Sequence, residues 1–263
     1  MLRIAFIFTF IGLILMLPLM AEEKSHSWEA GLGAYMVGYR DAGGNSEGGF
    51  LCGAQASYRA QRNSSFWKAA AYYYGGMPYS HLNDRLGDKI TAINDDALQE
   101  VRFLLGRQLS AKPGSCSYLS AGLGLRNWFK SPKAGGVFVN NYNYLYTPIV
   151  WEHFRGEENR PRKLTVEGDW LWNTQVQSKP AWFPEGYNSP VNHISGGFGL
   201  RVSYDLIKRW GPKKAFIIQP NVEYWNLPVS NTTDLTQNGV KKADFSIPSS
   251  QTWFYGLNLN WEW

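Results

Sequence analysis

The last eleven residues alternate without interruption. Trp253, Tyr255, Leu257, Leu259, Trp261 and Trp263 fall on one side of an extended chain, and mostly small or polar residues, Gly256, Asn258, Asn260 and Glu262 among them, fall on the other. Side chains of a β-strand point to opposite faces in turn, so this segment reads as a strand with an apolar solvent on one side and a polar one on the other. Such a strand is stable in a bilayer only within a closed sheet, where no backbone edge is left unpaired.

The other end is of a different kind. Arg3 precedes an apolar run from Ile4 to Leu17, then Pro18-Leu19-Met20-Ala21, after which the chain turns polar at Glu22-Glu23-Lys24-Ser25. A charged start, an apolar stretch and a small residue at the break are the pattern of a secretory signal peptide. We expect residues 1–21 to be removed after Ala21 and residues 22–263 to form one domain. A membrane anchor is the other reading of the run, but Pro18 breaks a helix there. No other segment is apolar enough to cross a membrane as a helix.

With an exported chain and an alternating last strand that stops on an aromatic, the sequence resembles the bacterial outer-membrane β-barrels. In that family the terminal aromatic is read by the insertion machinery. The resemblance implies an all-β fold, a closed antiparallel up-and-down transmembrane barrel with short periplasmic turns and longer outer loops. It also implies contact with outer-membrane lipid and lipopolysaccharide, and placement in the outer membrane of a Gram-negative cell.

Mean hydropathy, at −0.33, would suit a water-soluble protein. Yet aromatics make up 16% of the chain, with 12 Trp and 15 Tyr, the excess expected where girdles mark two membrane interfaces. Trp253, Tyr255, Trp261 and Trp263 are the clearest candidates for them. Arg3 is the only charge in residues 1–21, so the formal +5 becomes +4 on cleavage. Lys213-Lys214 and Lys241-Lys242 are the densest basic clusters, too sparse for a nucleic-acid site.

Ten strands are expected, centred on 27–40, 49–61, 65–76, 96–110, 115–130, 138–154, 161–177, 192–208, 213–227 and 249–263, with eight or twelve as alternatives. A Lys or Arg facing lipid at mid-bilayer costs roughly 2–4 kcal/mol, so one phase of each strand should be nearly free of charge. In the second strand Phe50, Cys52, Ala54, Ala56 and Tyr58 oppose Gln55, Ser57 and Arg59. In the seventh, Leu164, Val166, Trp170 and Trp172 oppose Thr165, Glu167, Asp169 and Asn173. In the eighth, Ile194, Phe198, Leu200, Val202, Tyr204 and Leu206 oppose His193, Ser195, Arg201, Ser203 and Asp205. In the ninth, Phe216, Ile218, Val222 and Tyr224 oppose Gln219, Asn221 and Glu223. Arg107 and Glu152 fall on the lipid phase near the periplasmic end, where the penalty vanishes. Pro148 and Pro220 should each cause a bulge or a locally broken pair. The sixth strand, with Tyr142, Tyr144 and Tyr146, has the least secure register.

The inward phase collects Arg59, Lys68, Arg102, Arg126 and Arg201 against Glu29, Glu100, Glu167, Asp169, Asp205, Glu223 and Glu262. Such charges must satisfy one another. A barrel of about eight strands is just filled by side chains, whereas about sixteen leave a channel, so a plugged or very narrow lumen is expected. A narrow pore for ions or small solutes is the alternative.

Catalytic signatures are thin. Gly44-Asn45-Ser46-Glu47-Gly48 fits the spacing of a nucleophile elbow, but that turn needs a helix after it and here a strand follows. His193 and Ser195 share a face, placing a base beside a hydroxyl, and resemble the H-x-S element of the outer-membrane lipid A deacylases. In the register above they face inward, away from lipid, and a lumen or rim histidine is the plainer reading. His81, Asp84, Asp88, Asp95 and Asp96 share one outer loop and are similar to the acidic rim of the omptin proteases, though no Asp-x-His pair is present. Scattered His residues and two distant cysteines offer no metal site, and no cofactor is expected. Cys52, facing lipid near the outer rim, and Cys116, facing inward at the periplasmic rim, should not pair. The expected function is that of a non-enzymatic surface protein, structural or adhesive, that binds an extracellular ligand through the loops 77–95 and 228–248.

Overall fold

The computed structural model describes residues 25–83, 89–133, 138–157, 159–180, 186–211 and 214–263. In chain order the strands are β1 (Ser25–Asp41), β2 (Ser46–Arg62), β3 (Ser65–Gly76), β4 (Tyr79–Asn83), β5 (Lys89–Lys112), β6 (Ser115–Pro132) and β7 (Phe138–Arg155). They continue with β8 (Arg162–Pro180), β9 (Val191–Ser195), β10 (Phe198–Gly211), β11 (Lys214–Leu227), β12 (Thr233–Gln237), β13 (Val240–Phe245) and β14 (Ser250–Glu262). Ten of them, all but β4, β9, β12 and β13, pair antiparallel with their neighbours in up-and-down order. The ring closes where β14 pairs with β1, from Glu29 opposite Glu262 to Asp41 opposite Ser250. The expected signal peptide lies outside the described residues, as do Asp84 and Asp88.

Short connections gather at one end of the barrel, the turn end, with left-handed backbone at Asn63, Gly114 and Gly156. Longer ones gather at the other, the loop end. Two of the extra strands prolong barrel strands past a break. β4 resumes after Pro78 and pairs with both β2 and β5. β9 precedes β10 across Gly196 (φ 78°) and Gly197 (φ 102°) and pairs with β8. The hairpin β12–β13, within the loop 228–248, turns on Asn238 (φ 49°) and Gly239 (φ 80°). Both values are left-handed, as the tight turn that matches strand twist requires.

The outward face carries the apolar phase. Trp253, Tyr255, Leu257, Leu259, Trp261 and Trp263 are all exposed, and Phe254, Asn258 and Asn260 are buried inside. At the turn end Trp28, Tyr58, Trp67 and Phe103 form one aromatic run, with ring centroids 4.6, 5.0 and 6.1 Å apart. Toward the loop end Phe198, Tyr224, Trp253 and Tyr255 form another. The two runs bound the lipid-facing belt.

The register of β7 corrects the sequence reading. Leu145, Ile149 and Trp151 are its exposed apolar residues, and Tyr142, Tyr144, Tyr146 and Glu152 are buried inside. Glu152 is thus no lipid-facing carboxylate: Arg59 reaches it at 3.1 Å and Lys163 at 3.9 Å. Tyrosines suit a polar lumen as well as an interface because of the hydroxyl, and this misplaced the phase. Arg107 does point outward near the turn end. Both prolines interrupt ladders: β6 and β7 lose two rungs at Pro148, and β10 and β11 lose two at Pro220.

β8 and β9 bring a second correction. Trp172 is bulged, since Leu145 opposes Asn173 while Tyr146 opposes Leu171, and beyond it the phase of β8 reverses. Asn173 and Gln175 turn outward, while Thr174, Val176 and Ser178 turn inward. The Gly196-Gly197 break reverses β9 in step. Ile194 is therefore fully buried in the lumen, and His193 and Ser195 are exposed on the outer wall.

Candidate functional site

From the loop end downward, the lumen is a stack of layers. The first is an open vestibule of about 440 Å³. Its wall is half sheet and half hairpin: Tyr39, Glu47, Asn94, Lys130 and Tyr142 come from barrel strands, and Leu235, Lys242, Ala243 and Phe245 from β12–β13. The hairpin is held over the rim by backbone bonds from Asn188 to Thr236 (3.0 Å) and from Asn238 to Gly186 (2.8 Å), and by Phe138 against Phe245 at 4.7 Å. Asn192 donates to the carbonyls of Asn231 (2.7 Å) and Phe245 (3.2 Å). On the hairpin's solvent side Lys241 bridges Asp234 (2.8 Å) and Asp244 (2.7 Å), and these bonds hold its ammonium above the ordinary lysine range.

Below the vestibule lies an aromatic layer. Tyr39, Trp128, Tyr142, Tyr144, Trp225 and Phe254 pack into one buried cluster with Leu171, Val176 and Ile194. Trp128 meets Phe254 at 5.6 Å and Tyr39 at 6.0 Å. The rings come from strands on opposite sides of the barrel and meet across the lumen above the ion layer.

The ion layer gathers three arginines and four acids. Arg126 donates to Glu100 (3.1 Å) and to Glu223. Arg201 donates to Asp169 (2.9 Å), Glu100 (2.6 Å) and the Tyr146 hydroxyl (3.1 Å). Arg102 donates to both oxygens of Glu167, at 2.6 Å to Oε2. Aromatic faces join the two layers, with the Arg126 guanidinium 4.6 Å from Trp225 and 5.0 Å from Phe254. Guanidinium over an aromatic face is attractive, the more so when desolvated. Every one of these seven charges was among the expected lumen residues.

Under the ions lies a cavity of only about 100 Å³, and then a turn-end vestibule of about 380 Å³. Glu29 and Lys68 line both. Glu29 accepts from Asn260 at 2.8 Å, Lys163 holds Asp205 at 2.6 Å, and Arg209 holds Glu262 at 3.3 Å. Lys163 shares the inward phase of Thr165 and Glu167 and was legible on that ground, but went unremarked. Glu47 lies outside the expected strand 49–61, and Asp96 and Lys130 are the end residues of 96–110 and 115–130; none was expected in the lumen, Asp96 being read as an outer-loop carboxylate, because β2, β5 and β6 continue above the belt. Cys52 and Cys116 are both free thiols.

The catalytic candidates do not converge. His193 and Ser195 face outward, opposite Gln175 and Asn173, and among the described residues no hydrogen bond joins their side chains. The Asn231 side chain instead accepts from the His193 backbone N–H at 2.6 Å. The serine and histidine that do meet are Ser117 and His153, 2.8 Å apart at the turn end. Of the acidic loop, His81 pairs with Thr91 at 3.1 Å, Asp95 is exposed, and Asp96 is buried accepting from the Trp128 indole at 2.9 Å. No group of three metal-ligating acids, histidines or cysteines occurs among the described residues.

No protein-family model matches the chain, and no curated protein matches it in sequence. Its fold does match solved structures. The outer membrane protease OmpT from Escherichia coli aligns with a TM-score of 0.63 at 10% identity, over 92% of this chain and 98% of that one. The chain has the fold of a bacterial outer-membrane β-barrel. The translocator domain of the autotransporter NalP from Neisseria meningitidis aligns with a TM-score of 0.43 at 9% identity, over 95% and 94% of the two chains. OprG from Pseudomonas aeruginosa follows at 0.41 and 8%, over 92% and 97%. At these identities the outer-membrane β-barrel likeness is one of architecture.

Proposed function

We propose that this protein is a non-conducting, non-enzymatic barrel of the bacterial outer membrane that offers a binding vestibule at the cell surface. In this reading residues 1–21 direct export, the turn end faces the periplasm, and the lipid-facing wall meets outer-membrane lipid and lipopolysaccharide. The closing strand engages the insertion machinery. The observation that carries the reading is the stacked aromatic and ion layers between two vestibules. Glu100, Arg126, Glu167 and Asp169 are each at most 4% exposed, as side chains that fill a lumen rather than line a channel would be. Ten strands also stand much nearer the filled barrels of about eight than the porins of about sixteen.

The test is planar-bilayer recording on refolded residues 22–263. Silence from protein that retains its compact, heat-modifiable form is expected. Steps of one reproducible size would replace this reading with that of a narrow pore, its ion layer becoming a selectivity lining.

A further inference from the structure

The vestibule has a chemical bias in its buried atoms. Glu47, Asn94 and Asp96 are 6%, 1% and 2% exposed, and each keeps one side-chain oxygen without a hydrogen-bond partner: Glu47 Oε1, Asn94 Oδ1 and Asp96 Oδ1. Their remaining atoms are engaged. Glu47 Oε2 takes Ser80 (3.2 Å), Asn94 Nδ2 and Lys130 (3.1 Å), and Asp96 Oδ2 takes Trp128. Asn94 and Glu47 line the vestibule itself, and Asp96 lies one inward position deeper on β5, within reach of Glu47. A buried acceptor without a donor is destabilising, and two carboxylates side by side require a positive group or a proton between them.

The one buried cation here is already committed. Lys130 Nζ binds Glu47 and sits 3.3 Å from the centre of the Tyr39 ring. Among the buried groups Asp41, Glu47 and Asp96 outnumber it, while the vestibule's other lysine, Lys242, is exposed on the hairpin. Above these acceptors the wall is apolar, made by Tyr142, Phe138, Phe245, Ile247, Leu82 and Leu235. The volume of about 440 Å³ falls within the range of small-molecule pockets, about 300–1,000 Å³.

We propose that the vestibule binds a small organic cation, an ammonium or guanidinium group on an apolar body, with its N–H donors on Glu47, Asn94 and Asp96 and its body against the aromatic wall. This names the ligand class for the surface-binding role argued above and rests on that role. At the buried floor the same geometry disfavours carboxylate ligands, which would meet three acceptors and the committed Lys130, the second lysine of the vestibule, Lys242, standing on the exposed hairpin side.

Isothermal titration of the refolded chain with 2-phenylethylamine, 2-phenylethanol and 3-phenylpropionate tests it. Saturable binding of the amine, at least about tenfold tighter than either analogue, is expected. Glu47→Gln should erase that preference, because it leaves Lys130 without its carboxylate, and 3-phenylpropionate should then bind as well as the amine or better. Leu82→Trp fills the vestibule from its apolar side without touching a charge, and should abolish amine binding in a protein that still folds. Equal binding of amine and alcohol, or amine binding that survives Leu82→Trp, would overturn the assignment. Failure of all three probes would mean that the carboxylates share a proton only, and would also overturn it. The bilayer recording separates these failures from failure of the blocked barrel, since conductance is read without any ligand.

Discussion

Around Arg126 and Arg201 at mid-barrel, the buried atoms left without hydrogen bonds are of both kinds, donors Arg102 Nε and Arg126 Nη2 and the acceptor Asp169 Oδ1, in a layer that borders only the small cavity of about 100 Å³ beneath it. At the loop end the three such atoms of Glu47, Asn94 and Asp96 are all acceptors, beside an open vestibule. The mid-barrel layer is closed upon itself: its charges answer one another and its residual donors and acceptors are mixed. The vestibule is one-sided and has space. Buried charge in the first region is answered within the fold, whereas in the second it needs a shared proton or a ligand, the ligand being the organic cation assigned above.

The sharpest way to break this contrast is to remove one partner from each region. Arg126→Met removes one of the two cations that Glu100 and Glu223 share, the other being Arg201, and removing one member of a buried ion pair costs about 3–5 kcal/mol. Leu82→Trp in the vestibule should stay within about 0.5 kcal/mol. Urea unfolding of both variants in lipid vesicles, followed by tryptophan fluorescence, reads the difference. Equal midpoints would mean that the ion layer is no more structural than the vestibule wall.

A second prediction places both regions relative to the membrane. Leu257 stands in the middle of the exposed phase of β14, and Leu257→Arg should cost about 2–4 kcal/mol. Gln175 also points outward, but beyond the bulged Trp172, and Gln175→Arg should cost about 0–1 kcal/mol because the wall there has left the hydrocarbon. Comparable losses in the same unfolding assay would mean that the belt extends past Trp172 and that the vestibule lies deeper than argued.

How much of this was legible in the sequence follows the same division. In the belt the two-residue period is enforced by lipid, and the phases of β1, β2, β10, β11 and β14, the closing strand, and all seven mid-barrel charges could be read from it. Above the belt that pressure ends. The Trp172 bulge and the Gly196-Gly197 break invert β8 and β9 together, and period counting carried Ile194 to the wrong face and His193 and Ser195 with it. In β7 the tyrosines were ambiguous, since a phenol suits lumen and interface alike. The Asn238-Gly239 turn is a readable hairpin signal inside the loop 228–248. Glu47, Asn94 and Asp96 carry no local motif, because strands distant in sequence assemble them.

A smaller effect sharpens the packing side of the comparison. A Cβ on Gly124 would lie 2.1 Å from the ring of Tyr146, the residue whose hydroxyl donates to Glu100 at 2.7 Å and accepts from Arg201. Gly124→Ala should cost about 1–3 kcal/mol by overpacking, and Tyr146→Phe a similar amount by removing a hydrogen bond to a charged group. If the double variant costs no more than either alone, the glycine acts through the tyrosine, as a layer closed upon itself requires. Simple additivity would show that the ring and the ions are independent.

The smallest expected effect concerns the outer wall. His193 and Ser195 lie on the far side of β9 from the vestibule, paired through the backbone with Gln175 and Asn173, and the His193 backbone is also tied to Asn231. His193→Ala and Ser195→Ala leave that backbone contact intact, so each should change stability by less than about 0.5 kcal/mol and leave amine binding unaltered. Lipid A incubated with wild-type and variant protein in mixed micelles should show no difference in released fatty acid, read by mass spectrometry. Acyl release that disappears in both variants would move the functional site from the vestibule to this wall, and the orphaned acceptors of Glu47, Asn94 and Asp96 would then need another explanation.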